Sequence, residues 1–371
     1  MRVRFYNLQR EILPNRDEFI NEFKNCIDQA EFVLGSRVRD FESKFADFCS
    51  VKYCVGVGSG LDAIVFALKA IGVQSGDEIL VPALTFPATW IAVMRCGAIP
   101  VAVDVTLDSY TIDPSDLVSK ISDRSTAVIP VHLYGHPADM KEILSIAKRH
   151  KLTVIEDCAQ AHGAEVCGRP VGSIGKFGAF SFYPTKILGA FGDGGALTTD
   201  DLALNEKIRM LRNYGSQKKY EHLILGENSR LDELQAGFLG IVLDSLGRKI
   251  RLRQNVADTY LQLLRDTEPF YKLPKVTVGT SHSWHLFIIR CDFRDELKDF
   301  LYSQGVETVI HYPTTVYEQP FAGAFMTPNA IRAHQVSRTC LSLPMYPSIT
   351  NSEISYVCDC LHQFMRAKEG K

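Results

Sequence analysis

The chain has 371 residues, 46% of them hydrophobic and 23% charged, an ordinary globular composition with length enough for a large core and a smaller second domain. Its 41 basic and 43 acidic residues leave a formal charge of -2, so no overall field draws it to nucleic acid or an anionic membrane, and any anion must be caught by a local site. The first fifteen residues mix Arg2, Arg4, Arg10 and Glu11 with apolar positions, unlike a signal peptide, and no later run is long enough for a membrane span. Ten scattered cysteines without a CxxC pair read as free thiols, which points to the cytoplasm and gives no metal framework.

Along the chain, a strand pattern over 53–57 runs into Gly58-Ser59-Gly60 and then an amphipathic stretch to Ile71, with Leu61, Ile64, Val65 and Leu68 at i, i+3, i+4 and i+7. A strand over 127–133, a helix over 138–150 turning Met140, Ile143, Leu144 and Ala147 inward, and a strand over 152–156 form a βαβ unit. A mainly parallel α/β sheet follows. Glycine-rich and aromatic segments fill 172–195, then helices are expected over 202–212 and 230–264, the second linking two domains. From His282 the order is strand (284–291), helix (295–304), strand (308–311), a proline-rich loop and a last helix (353–366), a small α+β domain. The expected division is a large domain over 1–250, including an N-terminal arm, and a small domain over 251–371.

Three segments carry chemistry. Asp157 closes an apolar strand at its carboxyl end, where open α/β sheets bind ligands; it either pairs with a cation there or caps the following loop. Twenty-nine residues on, Lys186 ends the aromatic run Phe180-Ser181-Phe182-Tyr183-Pro184-Thr185-Lys186. Desolvation there would favour a neutral amine able to form an imine with an aldehyde, although a lysine at a strand end also snorkels to solvent. Gly58-Ser59-Gly60-Leu61 is a strand-to-helix turn whose free N–H groups suit a phosphate, and Ser181 is a second possible donor unless it is satisfied by backbone.

These segments, with Gly76-Asp77-Glu78-Ile79, Pro82-Ala83-Leu84-Thr85-Phe86-Pro87-Ala88-Thr89, Pro130-Val131-His132-Leu133-Tyr134-Gly135, Glu156-Asp157-Cys158-Ala159-Gln160-Ala161-His162-Gly163, Gly192-Asp193-Gly194-Gly195-Ala196 and Asn228-Ser229-Arg230-Leu231-Asp232-Glu233-Leu234-Gln235-Ala236, resemble the DegT/DnrJ family of sugar aminotransferases. Nearly the whole chain takes part. The resemblance implies the aspartate-aminotransferase fold (fold type I) and the cofactor pyridoxal 5'-phosphate. It implies that Lys186 carries the cofactor as a Schiff base, Asp157 pairs with the pyridine nitrogen, Gln160 bonds the phenolic oxygen and Phe86 stacks on the ring. Gly60 and Leu61 N–H groups with Ser181 would hold the phosphate, and Asn228 would reach it from the other subunit of a homodimer with shared active sites. Tyr183, Arg230, His311 and Tyr312 match positions near the sugar nucleotide.

Leu61 stands where the family often has Thr, Cys158 where it has Ala, and Ile187 where Asn usually follows the lysine. A histidine in place of Lys186 would mark a C-3 dehydratase; the lysine implies transamination from L-glutamate to a keto-sugar nucleotide. The stretch Asn213 to Tyr220 and the loop Gly226 to Arg230 look most like members that aminate dTDP-3-keto-6-deoxyhexoses. UDP-linked 3-keto-hexuronates, 4-keto sugars and a non-nucleotide ketone such as an inosose are the alternatives, together with a non-catalytic regulator that keeps the cofactor scaffold.

Overall fold

The β-branched runs of the first two hundred residues become one seven-stranded sheet in the computed structural model, which describes residues 1–325 and 330–370. Positions 326–329 and Lys371 fall inside the expected small domain and lie outside the described residues. Strands β1 (Tyr53–Val57), β2 (Glu78–Pro82), β3 (Ile99–Val103), β4 (Ser125–Val128), β5 (Thr153–Asp157), β6 (Phe177–Ser181) and β7 (Gly195–Thr199) lie in the order β1-β7-β6-β5-β4-β2-β3. Neighbours from β6 to β3 are parallel, and β7 is antiparallel to both β6 and β1. Ile79, Leu80 and Val81 are all fully buried, so both faces of β2 are covered, as a parallel sheet demands.

Helix α1 (Gly60–Ile71) starts where β1 ends: Ser59 caps it by accepting from the Asp62 N–H at 3.1 Å, and Gly72 stops it at φ 82°. Helix α2 (Ala88–Arg95) follows β2, and α3 (Met140–His150) crosses from β4 to β5 with Met140, Ile143, Ile146 and Ala147 buried. Leu144, expected inward, is only half buried; Ile146 takes its place.

The single helix expected over 230–264 is two, α4 (Glu233–Asp244) and α5 (Leu246–Leu264). Ser245 breaks it, with both its N–H and its hydroxyl donating to the Val242 carbonyl, a local bond that competes with the helical ladder. Beyond α5, β8 (Phe287–Arg290) pairs antiparallel with β9 (Cys340–Leu343). Trp284 does not belong to the strand, because it sits in the left-handed region at φ 53°. The strand expected over 308–311 is one bridge from Val309 to Ser342, since the His311 carbonyl turns away to accept from the Tyr134 hydroxyl. The last helix, α6, spans Asn351–Glu369. Val3 is buried with Val256, Tyr260, Phe287, Leu341 and Leu361 in a core separate from that around the sheet.

Candidate active site

Side chains alternate across a strand, so the neighbours Glu156 and Asp157 at the end of β5 face opposite ways and meet different partners. Glu156 is fully buried and accepts four hydrogen bonds: His132 Nε2 at 3.0 Å, and the N–H groups of Gly172, Ile174 and Gly175 at 3.0, 2.8 and 2.7 Å. His132 Nδ1 accepts from the Ala138 N–H at 3.0 Å, which leaves the ring proton on Nε2. Glu156, His132 and Cys158 lie close enough together to suggest a metal, yet the carboxylate's lone pairs are already taken. Cys158 is buried, and burial pushes its thiol far up, so it packs as a small apolar group.

Asp157 is 5% exposed, and among the described residues its carboxylate accepts two hydrogen bonds, from the Thr89 hydroxyl at 2.8 Å and the Ala159 N–H at 3.1 Å. Burial raises its pKa; the two donors and the nearby Lys186 ammonium pull it back. Lys186 sits in the turn after β6, its N–H bonded to the Tyr183 carbonyl at 2.8 Å. Desolvation lowers its pKa to about 8, against the attraction of Asp157. Around it stand three histidines held neutral mainly by burial: His162 at about 3, His311 at about 4, and His285 also well down. The site therefore sets the Lys186 amine and the Asp157 carboxylate beside three neutral imidazoles.

Gln160 is oriented without ambiguity: its Oε1 accepts from the Tyr134 N–H at 2.7 Å, so its Nε2 donates to the Tyr312 hydroxyl at 2.8 Å. Phe86 is 57% exposed with its ring centroid 6.0 Å from that of Tyr312, an aromatic face left open above the site. The end of β6 also meets the start of α1: a Cβ placed on Gly60 would lie 2.7 Å from the Ser181 Cβ. The Gly60 and Leu61 N–H groups, which have no intrahelical acceptor, thus share a corner with the Ser181 hydroxyl. Leu61 is half buried and Ile187 fully buried.

The structure thus gathers Asp157, Lys186, Gln160, Phe86, His311 and Tyr312, and beside them Gly60, Leu61 and Ser181. Asn228 and Arg230 stay apart: Asn228 is exposed, and Arg230 donates to the Asn213 amide oxygen at 2.9 Å while lying over the Tyr214 ring. Their neighbour Ser229 does reach the corner, accepting from the Gly58 N–H at 3.0 Å and donating to Asp62 at 2.8 Å. Tyr183 is exposed at the rim. Sequence reasoning missed Thr89, Tyr134, His162 and Ser229, although Thr89 lies one helical turn after Phe86 in a motif already singled out.

Residues 14–362 match the DegT/DnrJ/EryC1/StrS aminotransferase family. The chain belongs to this family. The erythromycin biosynthesis sensory transduction protein EryC1 of Saccharopolyspora erythraea is 43% identical over 359 residues, 96% of this chain and 98% of that protein. The dTDP-3-amino-3,6-dideoxy-alpha-D-galactopyranose transaminase of Aneurinibacillus thermoaerophilus is 41% identical over 362 residues, 98% of this chain and 99% of that one. DesV of S. venezuelae, solved in complex with a ketimine intermediate, superposes with a TM-score of 0.96 at 42% identity, covering 98% of each chain. The architecture is accordingly that of the fold type I enzymes, and the cofactor is pyridoxal 5'-phosphate.

The residues fit that group. A buried carboxylate with two bonds has lone pairs to spare for a ring N–H, a desolvated lysine stands beside it, and the corner of Gly60 and Ser181 is narrow enough for backbone to meet a phosphate. Among the described residues no helix is long and apolar enough to cross a membrane.

Proposed function

We propose that the protein transfers the amino group of L-glutamate to a dTDP-3-keto-6-deoxyhexose, giving the dTDP-3-amino-3,6-dideoxyhexose. The observation that carries this reading is the pairing of a desolvated Lys186 with the buried Asp157 in a chain 41% identical to a dTDP-3-amino-3,6-dideoxyhexose transaminase.

Bound pyridoxal phosphate supplies an electron sink that lets a carbon-bound hydrogen leave as a proton. Asp157 holds the positive charge on the ring nitrogen, as its ionised carboxylate does best in a dry site. Gln160 Nε2 has a second hydrogen beyond the one given to Tyr312, and offers it to the phenolic oxygen. Phe86 covers one ring face and keeps water off it. The Gly60 and Leu61 N–H groups and the Ser181 hydroxyl hold the phosphate. When not bonded to the cofactor, Lys186 Nζ would take the proton from the α-carbon of L-glutamate, whose amino group would stay with the cofactor while water supplies the keto oxygen of the departing 2-oxoglutarate. In the second half Lys186 Nζ moves a proton in the reverse sense onto the sugar carbon that gains nitrogen. Tyr183, His311 and Tyr312 line the side from which the sugar nucleotide enters, while Arg230, bonded to Asn213, stands apart from them.

Two chains form a dimer in which Asn228 of one completes the phosphate site of the other. All ten cysteines are free, which fits the cytoplasm.

The test is a panel of keto-sugar nucleotides offered with glutamate, the product analysed by NMR. Nitrogen at C-3 of a dTDP-6-deoxyhexose is expected. Nitrogen solely at C-4, or turnover only with a UDP-linked 3-keto-hexuronate, would refute the substrate. A second reading, favoured by the name of the EryC1 relative, is a regulator that keeps the cofactor without turnover. Retained cofactor with no transamination of any ketone in the panel would establish it.

A further inference from the structure

The acid that faces the ring nitrogen is not held by its own strand alone. Thr89, in the first turn of α2, is 1% exposed and donates its hydroxyl to Asp157 Oδ2 at 2.8 Å. An ionised carboxylate only accepts, so the direction of this bond is fixed. The Thr85 hydroxyl, 2% exposed, lies 3.2 Å from that of Thr89. Because the Thr89 proton is already committed to Asp157, Thr85 is the donor, and two hydroxyls run in series toward one carboxylate oxygen. The same turn carries Phe86, whose carbonyl accepts the Thr89 N–H at 3.3 Å. One short piece of chain therefore presents both the ring that stacks on the cofactor and the hydroxyl that steadies its acid.

We infer that Thr89, backed by Thr85, is a positioning residue that keeps Asp157 ionised and aimed at the pyridine nitrogen. The inference rests on the cofactor assignment above and adds a residue to it. Among the described residues the Asp157 carboxylate has two donors, and burial works against its charge. Removing one donor makes the carboxylate more basic, so it draws the shared proton from the ring nitrogen toward itself. Less positive charge on the ring in turn lets the Lys186 linkage keep its own proton to higher pH.

The test is the visible band of the protein loaded with pyridoxal phosphate, titrated against pH in the parent, Thr89→Val and Thr89→Ser. Valine keeps the shape and deletes the hydroxyl; serine keeps the hydroxyl. A lost hydrogen bond to a charged group corresponds to a shift of about one pH unit. The midpoint of the band is expected to rise by that much in Thr89→Val and return to the parental value in Thr89→Ser, with faster cofactor loss on dialysis in Thr89→Val alone. A parental midpoint in Thr89→Val overturns the inference, as does a serine variant that behaves like valine. A parent protein that forms no band would instead overturn the cofactor assignment, so the two failures are distinct. Thr85→Val should move the midpoint the same way by a smaller amount, and no movement there removes Thr85 from the relay.

Discussion

Lys186 is set by two opposed effects, desolvation lowering its pKa to about 8 and Asp157 holding it from falling further. Only the neutral amine attacks an aldehyde, and its share grows as pH rises through the folded-state pKa. At pH 7 about a tenth of the amine is neutral, against a few in ten thousand for an ordinary lysine. The rate at which cofactor-free protein develops its visible band with pyridoxal phosphate should therefore climb with pH, pass half its maximum near 8 and level off about a unit higher. Asp157→Asn removes the attraction that raises the pKa, so the half-maximum should move below 8. A parental half-maximum near 10 would mean that the amine is solvated. At this scale Asp157 and Lys186 were legible because one ends an apolar strand and the other the aromatic run that leaves the next, and a charge there is chemically conspicuous. Thr89 and Ser229 were not: a hydroxyl declares its role only once its partner, 68 residues away from Thr89 in sequence, is in place.

The elements that frame the site meet at the junction of β1, α1 and β6. A Cβ on Gly60 would come within 2.7 Å of the Ser181 Cβ and 3.1 Å of its Cα, too close for the helix start to stay where it is. Gly60→Ala is expected to push α1 off the strand end and spread the corner proposed to hold phosphate. Cofactor affinity should fall by a factor of about ten or more, with a stability loss of about 1–3 kcal/mol typical of overpacking. Equilibrium dialysis and a urea midpoint measure the two separately; unchanged affinity would show that the corner does not hold phosphate. β1 and α1 were read from sequence almost to the residue, because periods of two and of 3.6 adjoin across Gly58-Ser59-Gly60. The break at Ser245 and the lone bridge at Val309 were not, since each depends on which carbonyl a local donor reaches rather than on hydrophobic period.

At the scale of the whole molecule the question is whether one chain makes a complete site. Asn228 is exposed, and among the described residues its side chain makes no hydrogen bond, while its neighbour Ser229 ties the same strip to the Gly58 turn. Phe23, Phe32 and Val33 near the N-terminus and Leu223 and Leu225 in the strip before Asn228 are also exposed, apolar surface of the kind a second copy covers. A twofold dimer would give two equivalent shared sites. Take one protein inactivated by Lys186→Ala and another by Asn228→Asp, whose added carboxylate would repel a cofactor phosphate beside it. Mix them under conditions that allow subunits to exchange, and follow the exchange by mass spectrometry. If Asn228 acts across the interface, a mixed dimer has both lesions in one site and none in the other. With random exchange about half the dimers are mixed and half their sites work, so roughly a quarter of the parental activity should return. If Asn228 serves its own chain, each site of the mixed dimer keeps one lesion and nothing returns. Complete exchange without recovered activity, from two folded and separately inactive parents, would place the whole phosphate site within a single chain.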